Sequence, residues 1–168
     1  MKAILVNDDR SLSWSEVQTP VLKDGEVLVK VQYAALNRAD LMQREGDYPP
    51  PPGCPDWMGL EISGVITELS DGAKKNSDWK TGDKVCALLG GGGYAQYAAV
   101  KYDMLMPVPE NVSLAEAAAI PEAFATAYLN LFWEGKAKEG DTLLMNAGAS
   151  GLASVVIPMA KAFGMYVI

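Results

Sequence analysis

The sequence contains no histidine and only two cysteines, Cys54 and Cys86, among 168 residues. The absence of histidine excludes histidine-dependent catalytic triads, histidine general bases and the commonest metal ligand. Two cysteines are too few for a disulfide scaffold or a zinc cluster. We therefore expect free thiols, a reducing cytoplasmic location and no resident metal ion.

Basic residues are also scarce, with 14 Lys and Arg against 21 Asp and Glu and a formal net charge of −7. No basic stripe is available to meet a phosphate backbone, which argues against nucleic acid as a partner. The amino-terminal apolar run is too short for the core of a signal peptide. Hydrophobic residues make up 49% and charged residues 21% of the chain, a composition typical of globular proteins with a sizeable core.

The most informative stretch is residues 142–168. Residues 142–146 form a short apolar run, which predicts a strand buried on both faces of a parallel sheet. A turn at residues 148–151 comes next. Apolar residues then follow at helical spacing: Leu152, Val155, Val156, Met159, Ala160 and Phe163. Gly164 is placed to end this helix, and residues 165–168 begin a second buried strand.

A strand, a tight glycine turn and a helix in this order are typical of a dinucleotide-binding unit. Small turn residues let backbone N–H groups approach a diphosphate, and the helix N-terminus offers free donors and a positive dipole end. Gly148 and Gly151 supply two glycines, and Ala153 occupies the third position, where alanine is allowed. Pro158 is expected to kink the helix.

Two other interpretations of this stretch remain. One is a structural turn without a ligand. The other is a membrane anchor, because residues 142–160 carry no charged side chain. The polar residues Asn146, Ser150 and Ser154 dilute the hydrophobicity of the stretch and weigh against an anchor.

The first part of the chain, residues 1–111, is predicted to be all-β with glycine and proline turns. The expected strands cover residues 2–6, 14–17, 26–33 and 59–69. Residues 85–89 and 94–100 are expected to form a hairpin across the four glycines at positions 90–93. The polar residues 70–77 are expected to form a loop.

Asn37 is predicted to cap a short helix that runs from residue 38 to 45 and ends at Gly46. Tyr48 then precedes four prolines, which form a stiff extended segment. This segment is a rigid surface loop, a ligand for a proline-binding domain, or a loop that holds Tyr48 beside a pocket. Glu61 lies among apolar neighbours and needs a partner if it is buried.

Residues 112–168 are predicted to be α/β. Ser113 and Glu116 form a capping box, and Pro121 begins a second helix. Its apolar stripe is attributed to core packing: Phe124, Ala127, Tyr128, Leu131 and Phe132. Thr126 lies off this stripe. The strands that should flank residues 142–146 are absent, and an open central strand is an aggregation hazard, so we expect the chain to be the front of a longer protein.

Five segments together resemble the medium-chain dehydrogenase/reductase superfamily, and within it the zinc-free NADPH:quinone oxidoreductases. They are residues 35–44, Tyr48 with its proline loop, and residues 59–61, 118–123 and 147–151. The resemblance covers essentially all 168 residues. It implies a mixed β and α/β fold: a GroES-like β-barrel at residues 1–111, followed at 112–168 by the start of a Rossmann NADP-binding domain.

The resemblance implies NADPH-dependent reduction of quinones or related electrophilic α,β-unsaturated carbonyls by hydride transfer. Asn37 and Tyr48 match family positions beside the nicotinamide and the substrate, and Thr126 matches a position near the nicotinamide amide. The diphosphate-binding turn is matched by Ser150, Gly151, Leu152 and Ala153. Leu60 stands where zinc-dependent members carry a metal-binding histidine, so the chain is expected to be zinc-independent. Catalysis in this family is mainly positioning of the hydride against the acceptor.

The resemblance also implies a small-molecule quinone or enone substrate, no membrane partner, and a homodimer when the protein is full length. The choice of NADPH over NADH follows from the resemblance alone. Two other functions stay open: a non-catalytic truncated fragment that acts as a binding or interaction module, and a 2-enoyl thioester reductase.

Overall fold

The computed structural model describes residues 1–168. The chain divides into two compact units, Met1–Pro121 and Glu122–Ile168. This division follows Pro121, whereas the predicted domain boundary follows residue 111, so the intervening residues lie with the first unit. None of the helices has the length and apolar character needed to span a bilayer.

The first unit contains two antiparallel sheets. In the smaller sheet β1 (Lys2–Val6) pairs with β2 (Leu12–Glu16). The larger sheet contains β3 (Glu26–Ala34), β4 (Glu61–Leu69), β5 (Lys84–Leu88), β6 (Tyr97–Lys101) and β7 (Leu105–Pro107). Its strand order is β6-β3-β4-β5-β7. Two register shifts interrupt the pairing of β3 with β4, and such bulges increase the local twist of a sheet.

The predicted hairpin across the four glycines is wrong, because β3 and β4 lie between β5 and β6 in the sheet. The backbone of the glycine run instead makes hydrogen bonds to residues 57 and 59. The N–H of Gly92 donates to the carbonyl of Trp57 at 2.8 Å, and the N–H of Gly93 donates to the carbonyl of Gly59 at 3.0 Å. The glycines therefore dock onto the segment after the prolines instead of closing a two-strand turn.

Three α-helices and one 3₁₀ turn (Tyr102–Met104) accompany these sheets. Helix α1 (Arg38–Glu45) has its predicted bounds, and Gly46 ends it with φ +89°. Helix α2 (Asp71–Asn76) replaces a predicted loop, because Ser70 caps it through Oγ and Ala73 is fully buried in the core. Helix α3 (Leu114–Ala117) begins with the predicted capping box.

The core of the first unit lies on the large sheet. Its fully buried members include Val27, Val29, Ile62, Ile66 and Ala87. On β3, Val27 and Val29 are fully buried, and Leu28 between them is also buried, so both faces of the strand are covered here.

The second unit contains a parallel β-α-β arrangement. Helix α4 (Pro121–Tyr128) begins at the last residue of the first unit and continues as one π-helical segment, Leu129–Glu134. Strand β8 (Thr142–Leu143) pairs in parallel with β9 (Tyr166–Val167), and α5 (Gly151–Ala162) connects them. Gly164, with φ +75°, follows the helix as predicted. The strand, turn, helix and strand of the sequence prediction are therefore confirmed in type and order.

Burial in the second unit differs from the prediction. Ala127, Leu131, Val156 and Ala160 are buried as expected. Four other stripe residues are exposed: Leu152, Phe163, Phe124 and Tyr128. Leu144 is 67% exposed, so residues 142–146 are not buried on both faces.

Ile66 gives a direct test of the core of the first unit. Its side chain is fully buried, so we expect Ile66→Ala to lower the free energy of unfolding by about 2–5 kcal/mol. Val21 is 88% exposed, and Val21→Ala should change it by less than about 0.5 kcal/mol. Denaturant unfolding measures both. Equal losses would contradict the assigned core.

Candidate functional site

Two buried carboxylates hold Asn37, which directly precedes α1. The backbone N–H of Asn37 donates to Oδ2 of Asp40 at 2.7 Å, and the side-chain Nδ2 donates to Oε1 of Glu61 at 3.0 Å. Asp40 is 5% and Glu61 3% exposed. Glu61 thus has the partner that its apolar surroundings require, and Asn37 is held at both its main chain and its side chain.

Tyr94 supports the same cluster from the end of the glycine run. Its hydroxyl lies 2.7 Å from Oδ2 of Asp40 and 3.2 Å from the carbonyl of Ala35. Burial, the hydrogen bond to Asp40 and the charges of Asp40 and Glu61 together raise the pKa of Tyr94 well above its usual value. Tyr94 is therefore a neutral hydrogen-bond donor. The other carboxylate oxygen of Asp40, Oδ1, is buried without a hydrogen-bond partner.

Cys86 is a core thiol on β5, opposite Ser63 of β4. Burial, followed by the negative charge of Glu61, raises the pKa of the Cys86 thiol. A protonated, buried thiol is a poor nucleophile. Cys86 therefore offers no covalent catalysis.

Tyr48 lies on an exposed loop. Its side chain is 42% exposed, and its hydroxyl makes no hydrogen bond within the chain. Two hydrogen bonds hold the end of this loop, at residues 56 and 57. Trp57 Nε1 donates to the carbonyl of Gly92 at 3.0 Å, and Gln43 Nε2 donates to the carbonyl of Asp56 at 3.2 Å. The structure does not join Tyr48 to Asn37 by a hydrogen bond, and the role of Tyr48 beside a pocket stays a prediction.

The glycine run, residues 90–93, packs against the proline loop and the residues that follow it. The sequence analysis did not predict this contact. A Cβ at Gly90 would lie 2.5 Å from Sγ of Cys54, and a Cβ at Gly92 would lie 2.8 Å from Cγ of Pro55. A side chain at Gly92 would displace Pro55, whereas a side chain at Gly90 would first require the Cys54 thiol to rotate. The run of four prolines at residues 49–52 and the run of four glycines at residues 90–93 are the signal that could have suggested this contact.

The turn before α5 presents open backbone donors. Oγ of Ser150 accepts from the N–H of Ala153 at 3.1 Å, which caps the helix. The N–H groups of Gly151 and Leu152 make no hydrogen bond within the chain. A Cβ at Gly151 would meet nothing within 4 Å. Free donors at the positive end of a 12-residue helix fit an anionic diphosphate, so the residues present are suited to the predicted cofactor.

Two alanines complete this turn. Ala153 is fully buried, as expected of the position where the helix packs closely against its strand. Ala147 has φ +55°, a left-handed conformation that is uncommon without glycine. The sequence pattern did not single out Ala147, because alanine carries no signal for that conformation.

Thr126 lies on α4 and is half-buried. Its Oγ1 is 3.5 Å from Oε1 of Glu122, and its carbonyl accepts from Nδ2 of Asn130 at 2.8 Å. Ser150 caps α5, and Gly151, Leu152 and Ala153 form its first turn, while their role in cofactor binding stays a prediction. Thr126 belongs to the same unit as this turn, and Asn37 and Tyr48 belong to the other.

Comparison with known proteins identifies the first unit. Residues 23–110 match the alcohol dehydrogenase GroES-like domain. The synaptic vesicle membrane protein VAT-1 homolog-like of Homo sapiens is 32% identical over 151 residues, which cover 86% of this chain and 35% of that protein. The quinone oxidoreductase of Mus musculus is 31% identical over 155 residues, which cover 92% of this chain and 46% of that protein. The chain thus spans less than half the length of these curated relatives.

A solved structure extends the similarity to both units. The quinone oxidoreductase of Thermus thermophilus, whose structure was also determined in complex with NADPH, matches with a TM-score of 0.79 and 33% identity. The match covers 99% of this chain and 52% of that one. The β-α-β arrangement of the second unit is therefore included in the match.

Gly59 and Gly82 form a matched pair for testing how closely the backbone at Gly59 approaches the end of the glycine run. Both have positive φ, +108° and +98°, but a Cβ at Gly59 would lie 2.4 Å from the backbone nitrogen of Tyr94, whereas a Cβ at Gly82 meets nothing within 4 Å. We expect Gly82→Ala to cost about 1–2 kcal/mol of stability from backbone strain. Gly59→Ala should cost about 1–3 kcal/mol more, because backbone atoms must move. Equal melting temperatures for the two variants would contradict the close approach.

Proposed function

Because this chain belongs to the medium-chain dehydrogenase/reductase superfamily through its alcohol dehydrogenase GroES-like domain, we propose that it serves an NADPH-dependent reductase. The proposed substrates are quinones or related electrophilic α,β-unsaturated carbonyls. The observation that carries the proposal is the pair of unbonded N–H donors, Gly151 and Leu152, at the start of α5. The similarity to a quinone oxidoreductase studied with NADPH supports it.

On the cofactor side, the second unit binds the diphosphate. The N–H groups of Gly151 and Leu152 would hold its negative charge, which the dipole of α5 also favours. Ser150 holds the first turn of the helix in place, and Ala153 keeps the helix close to its strand. Thr126 is assigned to the amide of the nicotinamide. Bound NADPH supplies the hydride that the acceptor receives.

On the substrate side, the first unit supplies Asn37 and Tyr48. Asn37 is held rigidly by Asp40 and Glu61, whereas the Tyr48 hydroxyl remains free to contact a ligand. The Cys86 thiol is buried and its pKa is raised, so it is given no nucleophilic role. The residues therefore act by binding and orienting the reactants, and the proton that completes reduction comes from water.

The remaining assignments follow from the same family membership. They are a small-molecule acceptor, a homodimer for the full-length protein, a cytoplasmic location, a GroES-like substrate domain at residues 1–111 and a Rossmann NADP-binding region at 112–168. The preference for NADPH over NADH rests on the similarity to the Thermus thermophilus enzyme.

Turnover by the full-length protein tests the reaction itself. We expect oxidation of NADPH with a simple quinone as acceptor, measured as the loss of cofactor absorbance. A 2-enoyl thioester serves as the competing acceptor. Turnover of the thioester alone would replace the proposed reaction by enoyl reduction, and turnover of neither acceptor would favour a non-catalytic binding module.

Gly151→Val tests the diphosphate site. The position is exposed, so the variant should fold normally, but its side chain enters the space where the diphosphate approaches. We expect NADPH affinity, measured by cofactor fluorescence, to fall at least about tenfold, as for one lost charge-assisted hydrogen bond. Ala162→Val, at the exposed end of the same helix, should leave affinity unchanged. Unchanged affinity in Gly151→Val would rule out this site.

Tyr48→Ala tests the substrate side. Its side chain is exposed and unbonded, so we expect no loss of melting temperature. The value of kcat/KM for a quinone should fall about tenfold, which corresponds to roughly 1.4 kcal/mol of lost transition-state stabilisation. Tyr166→Ala removes another exposed tyrosine and serves as the control. If both variants keep the wild-type kcat/KM, Tyr48 does not belong to the site.

A further inference from the structure

Glu61 occupies an unusual position for a charged residue. It is the first residue of the central strand β4 and is 3% exposed. Its nearest neighbours in the sheet are apolar, with Leu88 directly opposite it on β5. Burial of a carboxylate is costly unless hydrogen bonds compensate for the lost hydration. One of the donors that compensate Glu61 is Nδ2 of Asn37.

This contact determines how the Asn37 amide is oriented. The terminal torsion of asparagine is broad and nearly two-fold, so an unrestrained amide exchanges its oxygen and nitrogen positions at little cost. An ionised carboxylate accepts hydrogen bonds but cannot donate one. The nitrogen of the Asn37 amide must therefore face Glu61, and the oxygen must lie on the other side.

The main chain of Asn37 is held by a second carboxylate. Oδ2 of Asp40 accepts from the Asn37 N–H at 2.7 Å and lies 2.7 Å from the Tyr94 hydroxyl. Asp40 thus fixes the peptide, and Glu61 fixes the orientation of the side chain. Neither carboxylate needs to contact a ligand to exert this effect.

We propose that Glu61 is a positioning residue, which holds the Asn37 amide in a single orientation for the nicotinamide end of NADPH. This inference rests on the proposed role of Asn37 in cofactor binding. A fixed pattern of donor and acceptor atoms binds a polar ligand at a lower entropy cost than a rotating amide does. Glu61 therefore acts through Asn37 and not as an acid or base.

The first experiment tests the orientation without any ligand. In ¹⁵N-labelled protein, exchange of the Asn37 side-chain N–H protons with water is compared with that of Asn111, which is exposed and makes no side-chain hydrogen bond. We expect slower exchange for Asn37. Glu61→Gln should accelerate it, because the new side chain no longer dictates which atom of the amide faces it.

Ser63→Ala is the control for this experiment. Ser63 is fully buried on the same strand, and its Oγ donates to the carbonyl of Leu114, not to Asn37. Ser63→Ala should leave Asn37 exchange unchanged. Exchange of Asn37 as fast as that of Asn111 in the wild type, or no response to Glu61→Gln in a folded variant, would overturn the proposal.

The second experiment is a double-mutant cycle on NADPH affinity with Asn37→Ala, Glu61→Gln and the double variant. Each single variant should weaken binding about 2- to 10-fold, as for one neutral hydrogen bond. The double variant should bind no more weakly than Asn37→Ala alone. Independent, multiplied losses would overturn the positioning role. If the wild type binds no NADPH, the proposed function fails, whereas the exchange experiment still decides the orientation of Asn37.

Discussion

Two buried carboxylates, Asp40 and Glu61, impose the strictest constraint on the first unit. Glu61 begins the central strand β4 and Asp40 lies on α1, and both are buried, where an unpaired charge is far more costly than in water. Hydrogen bonds from Asn37 and Tyr94 offset part of this cost, and these bonds join the start of α1 to strand β4 and to the end of the glycine run. The requirement to satisfy two charges therefore also fixes the residue assigned to the nicotinamide.

In the second unit, by contrast, the backbone N–H donors at the candidate site have no hydrogen-bond partner within the chain. The N–H groups of Gly151 and Leu152 have no partner in the chain and lie at the positive end of α5. Solvent satisfies them in the free protein, and an anion can replace it. One unit thus holds a polar residue rigidly, and the other offers backbone donors to a charged ligand.

Local signals in the sequence predicted much of this architecture. The cap and C-terminal glycine of α1, the capping box of α3 and the β-α-β order of the second unit all follow from short patterns, and the structure confirms them. Contacts between segments that are distant in the sequence could not be predicted from such short patterns. The docking of residues 90–93 on the proline loop depends on hydrogen bonds to Trp57 and Gly59, which no local pattern encodes. The polar helix α2 was missed because the single buried Ala73 gives no periodic stripe.

The most direct test of the account is an NADPH titration of ¹⁵N-labelled protein in which backbone amide shifts and the melting temperature are followed together. The account predicts saturable shifts at Gly151 and Leu152 and a melting temperature that rises with nucleotide concentration, as linkage requires. Saturable binding that leaves these two amides unmoved, or no binding by a folded protein, would contradict the assignment of the turn before α5 as a dinucleotide site.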